Sequence, residues 1–197
     1  MRLGVFGGTF DPPHNGHLRI ARAAKEQFRL ERVLFTPAGV QPLKQDRSMS
    51  PVMHRAKMVE LAIARQPGFE LSRIDLDRPG PHYTVDLLRV VSGLYPGARL
   101  WLILGSDSLA DLLRWRDPQA CIDQARLAVL RRTGFEPDWD AFDAALPSLR
   151  DRLDWIDAPP IDLSSTDIRR RVRIGEEIEG LVPAAVGVYI AEQRLYK

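Results

Sequence analysis

Four short runs of this chain are apolar on both faces of a possible β-strand, and this pattern restricts the fold more than any other feature. The runs are Leu3–Phe6, Arg32–Pro37, Arg99–Gly105 and Arg126–Arg132. Strands of this kind belong inside parallel sheets that helices cover on both sides. Stretches with helical periodicity lie between them. We therefore expect an α/β fold built on a doubly wound parallel sheet.

The intervening stretches begin with helix-start signals. Ser50 and Pro51 suit the cap and first position of one helix, and an Asp-Pro pair opens another. The helices predicted between the strands cover His17–Phe28, Pro51–Arg65, Thr84–Leu94 and Asp117–Gln124. The polar stretch Gln41–Ser50 is long enough to be a binding loop.

The end of the chain has a different pattern. We predict one domain over residues 1–197, in which residues 158–197 form a C-terminal helical part. One helix should begin near Ser164–Thr166 and a second at Pro183, with Val186 and Ile190 packing back on the domain.

Composition narrows the class of protein. The chain has 197 residues, a length that suits one core. Its 28 basic and 26 acidic residues give a net charge of +2, which does not indicate a nucleic-acid partner. Cys121 is the only cysteine, as expected in a reducing compartment, and its helix-like surroundings predict a buried, inert thiol. With no apolar run long enough for a membrane span, we expect a cytoplasmic protein, with homo-oligomerisation left open.

The stretch GGTFDPPHNGH follows the first predicted strand and leads into a helix near Gly16. Gly7 and Gly8 allow close approach of the backbone to a bulky group. The helix start supplies N–H groups and a positive dipole end. His14 and His17 are three residues apart there, so both imidazoles could face one anion and donate hydrogen bonds to it. The pattern predicts a phosphate site.

Other interpretations of this stretch are weaker. The two histidines could bind a metal, but no third ligand follows at a convincing spacing. They could also be surface residues that cap a helix. A dinucleotide-binding turn would have the pattern G-x-G-x-x-G, whereas the glycines here are adjacent. We favour phosphate and predict no protein-bound metal.

A second anion site is predicted in the stretch LSSTDIRRRV. Ser164 and Asp167 match a capping box, which places hydroxyls and N–H groups at the helix start. Arg169 lies one turn further in and carries a permanent positive charge. The alternative is a capped surface helix with exposed arginines, which remains the simpler interpretation for Arg170, Arg171 and Arg173.

GGTFDPPHNGH resembles the signature of nucleotidyltransferases with an H-x-G-H motif, and in particular that of bacterial nicotinate-nucleotide adenylyltransferases. The resemblance extends through nearly the whole chain and implies a Rossmann-like nucleotidyltransferase fold. It implies ATP contacts from Gly8, Thr9, Phe10, His14 and His17. His17 would contact the α-phosphate, with His14 near the bridging or β-phosphate.

The second stretch resembles the I-S-x-T-x-x-R motif of the same family, with Leu163 in place of isoleucine. The resemblance implies that Ser164, Thr166 and Arg169 hold the β- and γ-phosphates of ATP. Gly105 and Asp107 match a glycine and an aspartate that the family uses after its fourth strand. Asp107 could equally be a helix N-cap.

Fewer signals identify the second substrate. The free N–H groups of a helix that starts at Thr84 would favour a carboxylate, such as that of nicotinate. Trp115 could stack on a pyridine ring, although a tryptophan beside a helix is more often core. The resemblance supports Tyr83, Thr84 and Trp115 as binding residues. Lys44 and Arg132 are candidates for the acceptor phosphate, although Arg132 could equally be a solvated strand end.

Two positions depart from the family pattern. Leu43 stands where a histidine is usual beside Lys44, and His82 stands where a serine is common before Tyr83. The departure at Leu43 leaves the role of the 41–50 loop open.

The resemblance implies adenylyl transfer from Mg²⁺-ATP to nicotinate mononucleotide, giving deamido-NAD and pyrophosphate in NAD biosynthesis. One alternative is a sister transferase that uses nicotinamide mononucleotide or phosphopantetheine. The other is a non-catalytic nucleotide-binding module with the same fold.

Overall fold

The computed structural model describes residues 1–39, 49–131, 134–159 and 161–197. Its central feature is a six-stranded sheet in which every strand pair is parallel. The strands are β1 (Arg2–Gly8), β2 (Arg32–Pro37), β3 (Phe69–Leu71), β4 (Arg99–Gly105), β5 (Ala125–Leu130) and β6 (Leu153–Ile156).

The strand order β3-β2-β1-β4-β5-β6 is that of a doubly wound sheet. The chain winds outward from β1 to β3, returns to place β4 beside β1, and winds outward again to β6. The direction of winding reverses between β1 and β4, where Val5 is opposite Leu102. In such sheets the carboxyl ends at the reversal form the ligand crevice. The predicted fold class is confirmed.

Helices cover both faces of the sheet. They are α1 (Asn15–Gln27), α2 (Val52–Ile63), α3 (Thr84–Leu94), α4 (Ser106–Ala110), α5 (Pro118–Gln124), α6 (Trp139–Ala145), α7 (Leu149–Arg152), α8 (Ser165–Arg173) and α9 (Ala184–Glu192). None of the helices in these described residues is long and apolar enough to cross a membrane.

The core is divided by the sheet into two clusters of buried side chains. The first core cluster contains Phe6 and Ile103 with residues of α1, α2, α8 and α9. The second core cluster contains Val5 and Leu102 with residues of α3 and α5. Neighbouring residues of one strand thus enter opposite clusters, which is why the strands are apolar on both faces.

Two strands have no counterpart among the predicted runs. β3 has only three residues, too few for a periodic pattern. β6 carries Asp154 in its centre, where a carboxylate weakens the apolar signal of an edge strand. In the folded chain this carboxylate accepts hydrogen bonds from Arg126 Nε at 2.6 Å and Trp101 Nε1 at 3.2 Å.

Helix boundaries were predicted well where the cap is local. α3 has the predicted bounds, and the Asp117 side chain caps α5 by accepting the amide of Ala120. The prediction of Ser50 as the cap of α2 is wrong, because Pro51 holds that position without a side-chain cap. The Ser50 amide instead donates to the Asp11 carboxylate at 3.0 Å.

α8 and α9 pack on the first core cluster through Ile168, Val186 and Ile190, which are all buried. α9 begins after Pro183, as predicted. The assignment of residues 1–197 to one domain stays a prediction.

Candidate active site

A cavity of about 350 Å³ lies at the carboxyl ends of β1 and β4, where the winding of the sheet reverses. All ten residues predicted to contact ATP line it: Gly8, Thr9, Phe10, His14, His17, Gly105, Asp107, Ser164, Thr166 and Arg169. The fold therefore brings together residues from the beginning, the middle and the end of the chain.

His14 and His17 form the junction between the loop and α1. His14 is buried and is the N-cap residue, and its Nδ1 accepts the His17 amide at 3.3 Å. His17 Nδ1 accepts the His14 amide at 3.1 Å. The two rings stack with their centroids 3.7 Å apart. Because each Nδ1 is an acceptor, the proton of each neutral imidazole is on Nε2, which makes Nε2–H the donor for a ligand.

The environment of His17 favours the neutral imidazole. Burial, and secondarily the charge of His14, hold the pKa of His17 well below its ordinary value of 6.5. Phe10 packs edge-on against the His17 ring at 5.0 Å, and Phe6 lies 5.9 Å away. His17 can therefore donate from Nε2 at neutral pH without carrying a charge.

Two glycines permit this packing. A Cβ at Gly8 would lie 2.9 Å from the ring of Phe10. The backbone of Phe10 has a φ of 50° and is therefore in the left-handed region. A Cβ at Gly16 would lie 2.7 Å from Ile161 and 2.9 Å from the His14 ring. Among the described residues, no atom lies within 4 Å of a Cβ built at Gly7, which agrees with its place in the cavity lining.

The start of α8 forms the opposite wall. Ser164 is the N-cap, and its hydroxyl accepts the Asp167 amide at 3.1 Å. Arg169 Nη1 donates to the backbone carbonyl of Asp11 at 2.7 Å, and its Nη2 to Thr166 Oγ1 at 3.3 Å. The Ser165 hydroxyl donates to the carbonyl of Pro12 at 2.9 Å. These bonds tie the second phosphate motif to the first.

The neighbouring arginines of α8 point elsewhere. Arg170 and Arg171 both pair with the Asp167 carboxylate, at 2.8 and 2.7 Å, and both approach Glu176. These bonds hold the pKa of Asp167 below its ordinary value. The simpler interpretation of Arg170 and Arg171, as partners on the surface of a capped helix, agrees with this geometry.

Gly105 and Asp107 occupy the turn from β4 into α4. Gly105 is the N-cap residue through its backbone, and Asp107 lies in the first helical turn. The alternative of Asp107 as a helix N-cap is therefore wrong.

Tyr83, Thr84 and Trp115, the described residues among those predicted for the second substrate, lie outside the cavity lining. Tyr83 is the N-cap residue of α3 by its backbone position, and Thr84 is the first residue of that helix. The guanidinium of Arg116 lies over the Tyr83 ring, 4.7 Å from the ring centre. Trp115 is partly buried against the second core cluster. Lys44 and Arg132 lie outside the described residues, as does most of the predicted 41–50 loop.

His82 has a packing role. Its Nε2 lies 3.1 Å from the carbonyl of Arg78, and its ring occupies the space where a Cβ of Gly39 would stand. The His82 ring therefore packs directly against the backbone of Gly39.

Sequence reasoning assigned no role to several residues at this site. Met49, Ser108 and Ser165 line the cavity. Asp11 is a buried residue of the cavity wall, and Arg55 is buried outside the cavity lining. Asp11 and Ser165 stand inside the two motifs and could have been selected on that signal. Arg55 lies in an ordinary amphipathic helix, where an arginine carries no signal in the sequence.

The described part of the chain contains no group of three histidine, cysteine or acidic residues that could hold a metal ion. Asp11 and Asp107 are the acidic residues in the cavity lining. The Asp11 carboxylate already accepts bonds from the Ser50 amide and the Tyr196 hydroxyl.

A doubly wound parallel sheet, with a cavity at its winding reversal and two helix starts facing that cavity, defines a nucleotide-binding α/β protein. The chain belongs to the cytidylyltransferase-like family, whose model matches residues 5–171.

Similar proteins span the whole chain. A protein of Thermomicrobium roseum is 45% identical over 196 residues, covering 100% of this chain and 92% of that protein. A Roseiflexus protein is 46% identical over 197 residues, covering 99% of this chain and 98% of its own length. Both carry the name "Probable nicotinate-nucleotide adenylyltransferase".

Solved structures share the fold. The nicotinic acid mononucleotide adenylyltransferase of Plasmodium falciparum complexed with NaAD has a TM-score of 0.80 at 19% identity, covering 99% of this chain and 97% of that one. The same enzyme complexed with APC has a TM-score of 0.78, covering 99% of this chain and 96% of that one.

Proposed function

We propose that this protein transfers the adenylyl group of ATP to nicotinate mononucleotide, giving deamido-NAD and pyrophosphate in NAD biosynthesis. The observation that carries the proposal is the meeting of two anion-binding helix starts, α1 and α8, in one cavity. The full-length similarity to proteins named for this activity supports the choice of reaction.

The reaction requires little from the protein beyond position and charge. The 5′-phosphate of the acceptor is already ionised, so it attacks the α-phosphorus of ATP in line and expels pyrophosphate without a covalent intermediate. Positioning and electrostatic stabilisation then lower the barrier. His17 donates from Nε2 to the α-phosphate as charge develops there, and His14 donates near the bridging or β-phosphate.

We call the proposed phosphate site at His14 and His17 the first cradle and that at the start of α8 the second cradle. The second cradle holds the leaving group. Ser164, Thr166 and Arg169 bind the β- and γ-phosphates, and the hydrogen bonds of Arg169 to Asp11 and Thr166 fix its orientation. Gly8, Thr9, Phe10, Gly105 and Asp107 form the remaining ATP contacts. Mg²⁺ bound with ATP would screen the charge of the triphosphate.

For the acceptor we propose the α3 start, with Tyr83, Thr84 and Trp115 around the nicotinate ring. The Tyr83 side chain makes no capping hydrogen bond to α3. The first amides of α3 therefore suit the carboxylate of nicotinate. Lys44 and Arg132 remain predictions for the acceptor phosphate, and the cytoplasmic location and possible homo-oligomer also stay predictions.

The test is pyrophosphate release from Mg²⁺-ATP with nicotinate mononucleotide, nicotinamide mononucleotide or phosphopantetheine as acceptor, with the dinucleotide product identified by mass. We expect strong preference for the nicotinate compound. Preference for another acceptor would remove the proposed carboxylate site at Thr84. ATP binding by calorimetry without pyrophosphate release with any acceptor would favour the non-catalytic module.

A further inference from the structure

A buried group of charged and polar side chains lies behind the phosphate loop. Asp11 is 1% exposed and belongs to the loop, and Arg55 is 2% exposed and belongs to α2. Burial lowers the pKa of Arg55, and the charge of Asp11 opposes that shift. Burying two charges is costly unless they are paired and fully hydrogen-bonded.

Arg55 joins two segments that border the cavity. Its Nη1 donates to the carbonyl of Thr9 at 2.8 Å, and its Nε donates to the carbonyl of Ser50 at 3.1 Å. Thr9 lines the cavity, as does Met49 immediately before Ser50. Arg55 itself lies outside the cavity lining formed by the described residues. It therefore acts on the site through the backbone that it holds.

Asp11 connects the same segments to the end of the chain. Its Oδ2 accepts the amide of Ser50 at 3.0 Å, and its Oδ1 accepts the hydroxyl of Tyr196 at 2.6 Å. Its backbone carbonyl accepts Arg169 Nη1 at 2.7 Å. Both the loop of the first cradle and the arginine of the second are thus in contact with this residue.

We infer that Arg55, Asp11 and Tyr196 form a positioning unit for adenylyl transfer, in which Arg55 sets Thr9 and the Met49–Ser50 wall relative to the two phosphate cradles. This inference rests on the proposed function. The planar guanidinium is required because two N–H groups in fixed directions must reach two carbonyls. A lysine ammonium would keep the charge and lose this geometry.

The Arg55→Lys variant tests this geometry. We expect kcat to fall about tenfold to a hundredfold, since a displacement of the loop by about 1 Å is enough for such a loss. We expect KM for ATP to change less than kcat, because the transition state depends more strongly on alignment.

Removing the hydroxyl of Tyr196 is a smaller change than replacing Arg55, and Tyr189 offers a matched control. Tyr196→Phe removes the hydrogen bond to Asp11 and should lower kcat several-fold. Tyr189→Phe removes a hydroxyl that lies 2.9 Å from His54 Nδ1, on α9 and outside the unit. We expect that control to keep the kcat of the unaltered protein at a comparable melting temperature.

Chemical rescue separates positioning from folding. In Arg55→Ala, low concentrations of guanidinium should restore part of the lost kcat, whereas ammonium at the same ionic strength should not. If Arg55→Ala fails to fold, the comparison of Tyr196→Phe with Tyr189→Phe carries the test.

The experiments distinguish a failure of this inference from a failure of the proposed function. That function fails if the unaltered protein releases no pyrophosphate with any acceptor. The inference is overturned if the unaltered protein is active and either Arg55→Lys or Tyr196→Phe, correctly folded, keeps its kcat. A folded Arg55→Ala protein whose kcat guanidinium does not restore would also overturn it.

Discussion

The imidazole of His17 lies between an apolar wall and the cavity at the carboxyl ends of β1 and β4. Phe6 and Phe10 pack against it on one side, and His14 stacks on its ring. Its Nδ1 is occupied by the His14 amide, so the ring orientation is set before a ligand arrives. Such fixed donors lower a barrier because no reorganisation is needed during the reaction.

Replacing His17 by alanine should reduce turnover about 10²–10³-fold, the usual loss when one such donor is removed. The measurement is kcat for pyrophosphate release, with the fold checked by circular dichroism. His54→Ala is the control, since His54 lies on α2 outside the cavity lining and contacts Tyr189. Near-native turnover in a folded His17→Ala protein would remove His17 from the mechanism.

The lowered pKa of His17 should also affect stability. The folded protein holds this pKa well below 6.5, so below about pH 6.5 the unfolded chain binds a proton that the folded chain does not. The free energy of unfolding should therefore decrease as the pH falls from 6.5 toward the lowered pKa.

The measurement is the melting temperature of the ligand-free protein between about pH 5 and 7.5. His17→Asn is the comparison, because its side-chain oxygen can still accept the His14 amide but does not titrate. We expect a smaller decrease in this variant. Equal decreases in both proteins would mean that His17 contributes nothing to the pH dependence.

At the scale of elements, the start of α1 depends on close packing against the segment that leads into α8. Gly16 is the contact point, since its Cα faces Ile161 and the His14 ring. The relative position of the two cradles therefore depends on Gly16, which has no side chain.

Gly16→Ala should lower both stability and turnover. The added methyl group would force Ile161 or His14 to move, at a cost of about 1–3 kcal/mol, and a displaced His14 would weaken the site. Gly93→Ala is the matched control in α3, where a Cβ meets no atom of the described part of the chain within 4 Å. It should keep kcat and raise stability by about 0.5–1 kcal/mol.

The two proteins would be compared by denaturant unfolding and by pyrophosphate release. Equal stability and equal kcat for both substitutions would contradict the packing argument at Gly16.

At the scale of the whole molecule, Cys121 reports on the integrity of the second core cluster. It is completely buried, and burial together with the charges of Asp117 and Asp86 raises its pKa to about 12. The thiolate is the reactive form of cysteine, so the folded protein should hardly react.

We expect a thiol reagent such as 5,5′-dithiobis(2-nitrobenzoate) to label Cys121 only when the molecule unfolds. The labelling rate should increase with denaturant in parallel with the loss of circular dichroism, and the unfolded chain should react at once. Rapid labelling of the native protein in buffer would show that this half of the core opens independently.

The fold class and the helix starts at the two predicted phosphate motifs were predictable from the sequence because their signals are local. Strands apolar on both faces require a covered parallel sheet, and β1, β2, β4 and β5 formed as expected. Likewise α3 and the Asp117 cap depend on residues within one turn of each other. The roles of the individual site residues stay predictions, although the cavity gathers all ten predicted ATP contacts.

Contacts between distant positions were decided only by the tertiary structure. Arg169 reaches the carbonyl of Asp11 across 158 positions, and Tyr196 reaches its carboxylate across 185. Arg55 has no distinguishing pattern in its helix, yet it joins Thr9 to Ser50. Periodicity and capping describe neighbours along the chain, so the sequence by itself determined the sheet and the motifs. Which buried polar groups would meet depended on the packing of α2, α8 and the C-terminal segment against that sheet.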